Sequence, residues 1–305
     1  MGRSLLCLAA LLKRSCLEML TLHAHAKLNL TLEVLGRRPD GFHETASIMQ
    51  TLELADTVTL EPSESLEVTC SESGLDGPVN LAWQAADLLR RETEVESGAR
   101  IAIDKHIPMS AGLGGGSSDA AATLVGLNSM WGLGLSNDRL RALAAELGSD
   151  VPFLIEGGTA IALGRGERVR SLPSSHLPWF VLAFPSSSRP DKTAFMYRSI
   201  TEEHFTRGGL TRKLEARIRN GGDIPPQLLF NAFDTVARSV EPDVQRCWSD
   251  MHSAGAREIH VSGSGPTVYA AIGRREIATA VQLVMEKIKG WPSLVTRAWP
   301  VVGGD

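Results

Sequence analysis

The stretch Pro108–Ala122, which reads PMSAGLGGGSSDAAA, constrains the fold more than any other part of the sequence. Four of the five residues from Gly112 to Gly116 are glycine, and the segment before them, ARIAIDKHIP, alternates like a strand. The residues after them, Ser117–Trp131, are rich in Ala and Gly and predict a closely packed helix. This order predicts an anion site, because the first amides of a helix lack partners and glycine lets the backbone approach a phosphate.

A tight turn with a cap from Ser117 or Ser118 is the simpler interpretation of this loop, but such a turn does not need so many glycines. The two best-known phosphate loops do not fit. No lysine follows the glycines, as GxxxxGK[ST] requires, and Ser117 stands where the last glycine of GxGxxG would be. The loop therefore predicts a phosphate site that belongs to neither a P-loop nor a dinucleotide-binding fold.

Composition bounds the class of protein. A chain of 305 residues with 43% hydrophobic content is long enough for two lobes with a sizeable core. The net charge of −4 argues against a nucleic-acid-binding protein that depends on bulk positive charge, although it leaves room for a local basic pocket. The four cysteines, at positions 7, 16, 70 and 247, form no CxxC pair, which favours reduced thiols in a cytoplasmic protein over a zinc site or a disulfide framework.

Residues 1–18 are interpreted as an N-terminal extension, loose or added by an upstream start, because a second methionine, Met19, stands just before the first strand. Arg3 and the apolar run Leu5–Leu12 resemble a weak secretory signal, but Lys13 and Arg14 interrupt the run and no clean cleavage site follows. The run is also too short to span a bilayer. A basic organelle presequence is a further alternative.

The rest of the chain predicts an α+β protein with two lobes, residues 19–185 and 186–305, because the composition shifts after Pro185. In AKLNLTLEV the apolar residues alternate, which predicts a half-buried strand with Lys27 and Asn29 on its polar face. Asn80 is an N-cap candidate for the helix NLAWQAADLLRRE. In REIATAVQLVMEKIKG, near the C-terminus, apolar residues recur at helical spacing: Ile277, Ala280, Val281, Val284 and Ile288.

Three stretches resemble motifs of the GHMP kinase superfamily and occur in its order. PMSAGLGGGSSDAAA resembles the second motif, P-x-x-x-G-L-G-x-x-S-S, while AKLNLTLEVLGRRPDGFHE lies near the start and SGSGPTVYA near the end. The first stretch, the triple glycine and LGSDVPF are similar to the branch that acts on a cytidyl diphosphate sugar alcohol of the non-mevalonate isoprenoid pathway. The resemblance covers nearly the whole chain from about Leu22. It implies a two-lobed α+β GHMP kinase fold, with an N-terminal lobe like ribosomal protein S5 domain 2 and a ferredoxin-like C-terminal lobe.

The resemblance implies a catalytic pair, Lys27 and Asp150. Without the resemblance, Asp150 in LGSDVPF is as consistent with a cap or turn as with a catalytic base. Lys27 alone would be interpreted as a solvated lysine on the polar face of a strand. The family's catalytic Asp stands at this place, where it would accept the proton of an alcohol while the lysine steadies the transferring phosphoryl group.

A substrate pocket is also implied by the resemblance. Its members are Asn29, Phe42, His43, Lys105, Thr193, Tyr197, Gly263, Ser264 and Gly265. Phe42, where the family usually has Tyr, would stack on cytosine together with Tyr197, and His43 would read the edge of the base. Asn29 would bind hydroxyls of the substrate, and Lys105 would contact its diphosphate. Without the resemblance, Tyr197 would be interpreted as a core or surface aromatic residue, and Lys105 would be interpreted as a solvated lysine at a strand end.

The nucleotide site implied by the resemblance binds ATP. Its members are Asn80, Leu81, Pro108, Met109, Ser110, Ala111, Gly112, Leu113, Gly114, Gly115, Gly116, Ser117 and Ser118. The first two would flank the adenine, and the glycine loop would wrap the phosphates. Ser118 or Asp119 would bind Mg²⁺, although Asp119 equally suits the first turn of a helix, where a negative charge favours the dipole. The pair His23 and His25 has no evident third ligand and is interpreted as chance.

These features together predict an ATP- and Mg²⁺-dependent kinase of small molecules, which phosphorylates the 2-hydroxyl of a cytidyl-diphosphate derivative of 2-C-methyl-D-erythritol. Another GHMP kinase, of the homoserine or mevalonate type, is the nearest alternative, and a non-catalytic nucleotide-binding protein on the same fold is the second. The aromatic pair in DGFH favours the cytidyl substrate, and the presence of both Lys27 and Asp150 argues against a non-catalytic role. The predicted protein is a monomer or weak homodimer with no nucleic-acid or membrane partner.

Overall fold

The computed structural model describes residues 19–175, 177–186 and 191–299, so the predicted extension of residues 1–18 lies outside it. These ranges form eleven strands and nine α-helices. The strands are β1 Leu20–Arg37, β2 His43–Ser63, β3 Leu66–Cys70, β4 Gly98–Asp104, β5 Thr159–Gly164, β6 Arg168–Leu172, β7 Trp179–Ala183, β8 Phe230–Asn231, β9 Ile259–Val261, β10 Val268–Ile272 and β11 Ser293–Thr296. The helices are α1 Leu81–Thr93, α2 Gly115–Met130, α3 Asn137–Leu147, α4 Val151–Leu154, α5 Lys192–Ser199, α6 Gly209–Arg219, α7 Phe233–Val240, α8 Pro242–Ser253 and α9 Arg275–Leu283.

The first sheet is built around the long antiparallel pair of β1 and β2. Its order is β3-β4-β2-β1-β8, with β5 and β6 added beside β2. The predicted alternation in β1 is confirmed, because Ala26, Leu28 and Leu30 are fully buried. Lys27 and Asn29 on the other face are also buried, at 3% and 4% exposure. The polar face of β1 is therefore covered by the protein instead of being solvated.

Helix α2 packs as closely as its small residues predict. It lies with α1 and α3 against one face of the first sheet and shares their apolar core. A side chain at Gly126 would place its Cβ 2.3 Å from Cδ1 of Leu60 and 2.9 Å from Cδ1 of Leu22. The helix can approach β1 and β2 only because this position has no side chain.

The second sheet has the order β11-β7-β10-β9 and is antiparallel throughout. Helices α7, α8 and α9 share a core with it, and a separate apolar core joins the two sheets. Strand β7 pairs with β10 and β11 although it lies before the predicted boundary at residue 185, and that boundary stays a prediction. Strand β8, from the C-terminal half, returns to pair with β1.

The C-terminal helix forms where it was predicted, but a different face is buried. Ala278, Val281 and Met285 are buried, whereas Ile277 and Ile288 are 45% and 73% exposed. The helix ends in a π-helical turn, Val284–Ile288, which changes the repeat, so that Met285 faces the core while Ile288 is exposed. Neither this helix nor any other in the described ranges is long and apolar enough to cross a membrane.

Candidate active site

A cavity of about 780 Å³ is lined by residues of both lobes and brings twelve of the predicted site residues together. The predicted residues that line it are Lys27, Asn29, Phe42, His43, Gly112, Gly114, Ser117, Asp150, Thr193, Tyr197, Gly263 and Ser264. They come from β1, the start of β2, the glycine loop, the start of α4, helix α5 and the turn between β9 and β10. Residues more than 200 positions apart in the chain thus meet at one place.

The predicted pair of Lys27 and Asp150 forms an ion pair in this cavity. The ammonium Nζ of Lys27 lies 3.3 Å from Oδ2 of Asp150 and donates a hydrogen bond of 2.8 Å to Oδ1 of Asn29. The Lys27 side chain is 4% exposed, while that of Asp150 is 35% exposed. A nearby ammonium stabilises the negative charge of the carboxylate. The carboxylate is therefore held beside an ammonium and open to a ligand.

The local structure separates the two interpretations of Asp150. The residue stands at the N-cap position of α4, whose first turn contains Pro152, but its side chain forms no capping hydrogen bond. A capping aspartate would use its carboxylate on the amides of its own helix. Asp150 instead uses its carboxylate on Lys27, from a strand more than 100 residues earlier. This geometry favours a functional carboxylate over a helix cap.

A chain of hydrogen bonds fixes the orientation of Asn29. Its Nδ2 donates to Oγ of Ser47 at 2.8 Å, and that hydroxyl donates to the carbonyl of Thr31 at 2.6 Å. The hydroxyl of Tyr269, from the second sheet, donates to the carbonyl of Asn29 at 2.9 Å. Because the amide nitrogen is engaged by Ser47, the amide oxygen is held toward Lys27.

The glycine loop fits between β1 and the turn Gly263-Ser264-Gly265. Gly112 has φ of +81°, and a Cβ there would lie 2.3 Å from the carbonyl oxygen of Ser262. Gly114 has φ of +74°, and a Cβ there would lie 2.9 Å from Cγ of Lys27. These two glycines are thus required by close contact with protein as well as by their backbone conformation.

The start of α2 leaves amides available beside the cavity. The first backbone hydrogen bond of the helix runs from the amide of Ser118 to the carbonyl of Gly114, at 2.8 Å. The amides of Gly115, Gly116 and Ser117 precede this bond, and such amides at a helix start have no intrahelical acceptor. They supply the donors, and the helix supplies the dipole, that the predicted phosphate site needs.

Two predicted residues beside this loop, Lys105 and Asp119, are buried in a closed ion cluster with Asp56 instead of facing the cavity. Lys105 donates to Asp56 and, at 2.6 Å, to Oδ2 of Asp119. Oδ1 of Asp56 also accepts from the amides of His106 and Ile107, at 2.6 and 2.7 Å. Burial, together with the carboxylate of Asp56, raises the pKa of Asp119 to about 7 against the attraction of Lys105.

Burial bears on the predicted ligand contacts of Lys105, Ser118 and Asp119, which stay predictions. The ammonium of Lys105 is 4% exposed and already serves two carboxylates, so in this structure it is not placed to contact a diphosphate in the cavity. Ser118 and Asp119 are each 3% exposed, and the hydroxyl of Ser118 donates to the carbonyl of His25 at 2.7 Å. Both side chains are buried, and Oδ1 of Asp119 has no hydrogen-bond partner among the described residues, so a role of either in binding Mg²⁺ stays a prediction. The described residues contain no group of three or more His, Cys, Asp or Glu side chains that could hold a metal ion.

The predicted base-binding residues form an aromatic end of the cavity. The rings of His43 and Tyr197 lie 5.3 Å apart at 33°, and Tyr197 packs edge-on against Phe233 at 4.9 Å. Burial and the neighbouring Arg37 lower the pKa of His43, which favours the neutral form of its ring. Its buried Nε2 has no hydrogen-bond partner among the described residues. An unpartnered ring nitrogen beside a cavity is suited to a polar ligand group.

The predicted adenine-flanking residues do not line this cavity. Asn80 caps α1 as predicted, because its Oδ1 accepts from the amide of Ala82 at 2.9 Å. Its Nδ2 donates to the carbonyl of Leu75 at 2.8 Å. Leu81 packs against the core of the first lobe. A contact of either residue with adenine stays a prediction.

Lys192, at the start of α5, is a site residue that the sequence did not indicate. Its buried ammonium donates to the carbonyl of Ser110 at 2.5 Å and to the carbonyl of Gly265. It therefore ties the glycine loop of the first lobe to the turn of the second. Burial, with a smaller contribution from Lys27, lowers the pKa of Lys192 to about 8. In the sequence it is one lysine after a Pro-containing loop, and nothing there marks it as buried.

Comparison with known proteins agrees with this geometry. Residues 80–158 match the family described as GHMP kinases N terminal domain. The chain is 41% identical over 264 residues to a 4-diphosphocytidyl-2-C-methyl-D-erythritol kinase of Dehalococcoides mccartyi, which covers 86% of this chain and 93% of the relative. A crystal structure of a 4-(cytidine 5'-diphospho)-2C-methyl-D-erythritol kinase matches 93% of this chain and 100% of its own, with 31% identity and a TM-score of 0.77.

A more distant structure shows the fold alone. The homoserine kinase from Cytophaga hutchinsonii is 18% identical, with a TM-score of 0.67 over 94% of this chain and 96% of its own. The higher identity to the cytidyl-substrate enzymes extends across both lobes. The chain therefore belongs to the 4-diphosphocytidyl-2-C-methyl-D-erythritol kinase family within the GHMP kinases.

Proposed function

We propose that this protein is an ATP-dependent kinase that phosphorylates the 2-hydroxyl of 4-diphosphocytidyl-2-C-methyl-D-erythritol. The observation that carries the proposal is the placement of three parts around one cavity: the ion pair of Lys27 and Asp150, the free amides at the start of α2, and the aromatic end with His43 and Tyr197. Each part corresponds to a portion of the reactants: the alcohol, the ATP phosphates and the cytosine.

The proposed chemistry starts at the carboxylate of Asp150. It accepts the proton of the substrate hydroxyl as the oxygen attacks the terminal phosphorus of ATP and the bond to ADP breaks. The ammonium of Lys27, fixed by Asn29 and Asp150, stabilises the charge on the transferring group. The amides at the start of α2 bind the phosphates that remain with ADP. Positioning and charge stabilisation therefore supply most of the catalysis.

In the proposed reaction Mg²⁺ enters bound to the phosphates of ATP and not at a dedicated metal site of the protein. Mg²⁺ is commonly bound through substrate phosphates with only one or two carboxylates from the protein. Ser118 and Asp119, the predicted ligands, are buried and engaged with His25 and Lys105. The residues described here therefore do not fit a dedicated metal site, and no step above depends on one.

The aromatic end of the cavity distinguishes this substrate from those of other GHMP kinases. Homoserine and mevalonate have no aromatic base. Neither molecule would therefore supply a ring to stack on the aromatic side chains at this end of the cavity, Phe42, His43 and Tyr197. A ring of cytosine would bury the apolar faces and pair with the free Nε2 of His43. The geometry thus favours a cytidyl substrate over the two alternatives.

A substrate panel tests the proposal. Purified protein is assayed for ATP-dependent ADP release with the cytidyl compound, homoserine and mevalonate at matched concentrations. We expect turnover with the cytidyl compound alone, and mass spectrometry of the product should place one phosphate on the 2-hydroxyl. Turnover of homoserine or mevalonate without turnover of the cytidyl compound would contradict the proposal.

We further infer a cytoplasmic enzyme that works on small molecules, as a monomer or weak homodimer and without a nucleic-acid or membrane partner. The net charge of −4 and the free thiols of Cys70 and Cys247 support this setting. We also propose two lobes that meet at the cavity, with the second starting before Trp179. Sedimentation across a concentration series would measure the oligomeric state.

A further inference from the structure

Strand β9 forms one edge of the second sheet, and side chains hold the backbone of that edge. Among the described strands it pairs with β10 alone. The amide of Val261 donates to Oδ1 of Asp234 at 2.8 Å, and the carbonyl of Val261 accepts from Nδ2 of Asn231 at 2.8 Å. An edge strand presents backbone groups that need partners. Here the end of β8 and the start of α7 supply them.

The contacts of Asn231 extend from β9 to the turn that follows it. The same Nδ2 also donates to the carbonyl of Gly263 at 2.8 Å, while Oδ1 accepts from the amide of Phe233 at 2.9 Å. Both ends of the side-chain amide are therefore used on backbone, and the residue is 2% exposed. Asn231 is not one of the described residues that line the cavity, so its effect on a ligand must pass through the backbone that it holds.

Gly263 lies directly against the ammonium of Lys27. A Cβ at Gly263 would lie 3.2 Å from Nζ of Lys27 and 3.6 Å from Oδ1 of Asn29. Gly114 packs on the same lysine, because a Cβ there would lie 2.9 Å from its Cγ. Backbone therefore limits the space around the lysine, and Asn231 holds the part of that backbone at Gly263.

Asn231 is also joined to the strand that carries this lysine. Strand β8 runs parallel to β1, with Asn231 opposite Leu32, and the amide of Ala232 donates to the carbonyl of Leu32 at 2.9 Å. Lys27 lies earlier on β1. One short segment thus connects the strand of Lys27, from the first sheet, with the turn that encloses its ammonium, from the second.

We propose that Asn231 is a positioning residue of the phosphoryl-transfer site, which fixes the ammonium of Lys27 by holding Gly263 against it. This inference rests on the proposed function, in which that ammonium stabilises the transferring group. A misplacement of about 1 Å in such a site can cost about 100-fold in rate. Loss of the Asn231 amide should therefore lower kcat. The KM values should change less, because the hydrogen bonds of Asn231 go to β9, its turn and α7.

Steady-state kinetics of Asn231→Leu with ATP and the cytidyl substrate test the proposal. Leucine has a similar volume but makes none of the side-chain hydrogen bonds of Asn231. We expect kcat to fall about 10- to 100-fold, with both KM values within about 3-fold of the wild type. Asn231→Gln, which keeps an amide with two donors, should recover part of kcat. If Asn231→Leu does not fold, Asn231→Ser replaces it, since a serine hydroxyl still accepts the amide of Phe233 but is too short to bridge two carbonyls.

A second measurement follows Lys27 itself and needs no substrate. The side chain of Lys27 is 4% exposed, so its acetylation by acetic anhydride should be slow relative to that of the exposed Lys213 in the same chain. Mass spectrometry of peptides gives the ratio of the two rates. We expect this ratio to rise at least about 3-fold in Asn231→Leu, because local opening of the turn admits the reagent to Nζ.

Asn128→Leu is the matched control, because Asn128, near the end of α2, also uses both ends of its amide on backbone. Its Nδ2 donates to the carbonyl of Leu135 at 3.0 Å, and its Oδ1 accepts the amide of Leu135 at 2.9 Å. Its replacement should lower stability but leave kcat and the labelling ratio unchanged. Thermal unfolding verifies that each variant is folded under the assay conditions.

The outcomes separate this inference from the proposed function. Wild-type kcat in folded Asn231→Leu, an equal loss in Asn128→Leu or a change confined to KM would contradict the positioning role and leave the kinase function standing. An unchanged labelling ratio in Asn231→Leu would contradict it as well. If the wild type does not phosphorylate the cytidyl substrate, the proposed function is wrong, and the labelling ratio alone decides whether Asn231 positions Lys27.

Discussion

Lysine and carboxylate meet twice beside the glycine loop, and the two assemblies differ in what surrounds them. Gly114 packs on Lys27, which pairs with the partly exposed Asp150 at the cavity. The neighbouring Gly115 packs near Lys105, because a Cβ there would lie 3.2 Å from its Nζ. Lys105 is enclosed by Asp56 and Asp119, both almost fully buried. The first assembly is open to a ligand, and the second is closed.

The exposure of the carboxylate distinguishes a pair that can react with a ligand from a structural ion cluster in this fold. In the closed cluster, the lysine serves two carboxylates, and one of these also accepts two backbone amides. Oδ1 of Asp119 has no partner among the described residues, but it is buried away from solvent. In the open pair, the carboxylate of Asp150 has a lysine on one side and the cavity on the other. The closed cluster is therefore expected to hold the strand ends and the start of α2 together, while the open pair carries the chemistry.

Replacing the open carboxylate should have the largest effect. Asp150→Asn keeps the shape of the side chain but removes its ability to accept the proton, so kcat with the cytidyl substrate should fall about 10²- to 10⁴-fold. Affinity for ATP, measured by calorimetry, should change little, because the amides of α2 are untouched. Activity equal to that of the wild type would show that Asp150 is not the base.

Breaking the closed cluster should affect stability instead. Lys105→Met leaves two buried carboxylates without their ammonium, which typically costs about 3–5 kcal/mol of unfolding free energy. Urea unfolding measures this loss, with Arg100→Met as a control. Arg100 lies on the same strand and pairs with Glu61 and Glu67 at the surface, so its removal should cost less than about 1 kcal/mol. Equal losses in the two variants would contradict a structural role for the cluster.

Lys192 is a third lysine beside the glycine loop, and its expected role differs from the roles of Lys27 and Lys105. Its hydrogen-bond partners among the described residues are the carbonyls of Ser110 and Gly265, so it should position the glycine loop without joining the chemistry. We expect Lys192→Met to raise the KM for ATP about 3- to 10-fold, the usual worth of one or two hydrogen bonds. Lys192→Gln, which keeps two N–H donors without charge, should recover part of this loss. A fall in kcat with an unchanged KM in both variants would argue for a catalytic lysine.

The pH dependence of stability tests the closed cluster a second time. The pKa of Asp119 is raised from its usual 3.8 to about 7, so between these values the folded protein holds a proton that the unfolded chain has released. The stabilisation from this group is complete below about pH 4 and is lost as the pH rises through 7. The unfolding free energy of the wild type minus that of Asp119→Asn should therefore fall between pH 4 and pH 7. A constant difference would mean that Asp119 is ionised throughout.

Local patterns predicted local structure well. The alternation in β1, the cap at Asn80 and the helix after the glycines each depend on residues close in sequence, and the structure shows all three. Burial of a charged side chain depends on distant elements. Lys27 and Lys105 both stand on or at the end of an alternating strand, and the sequence cannot tell that one reaches Asp150 and the other Asp56.

The same limit explains the residues that the sequence missed. Lys192 becomes a site residue only because α5 brings it between the glycine loop and the turn after β9. Arg165 reaches the cavity only because the turn between β5 and β6 folds onto Ser149. A GRGE turn in a hairpin does not by itself predict a site residue. The structure adds that its arginine forms no ion pair in the described part of the chain.

The most direct test measures single-turnover phosphoryl transfer to the cytidyl substrate, with saturating ATP, in Lys27→Met and Lys105→Met side by side. Conditions are chosen so that both variants are folded, as verified by circular dichroism. We expect the rate to fall at least about 100-fold in Lys27→Met, which loses charge stabilisation at the transferring group. Folded Lys105→Met should stay within a few-fold of the wild type. Equal losses in the two variants, or a normal rate in Lys27→Met, would contradict the division between an open catalytic pair and a closed structural cluster.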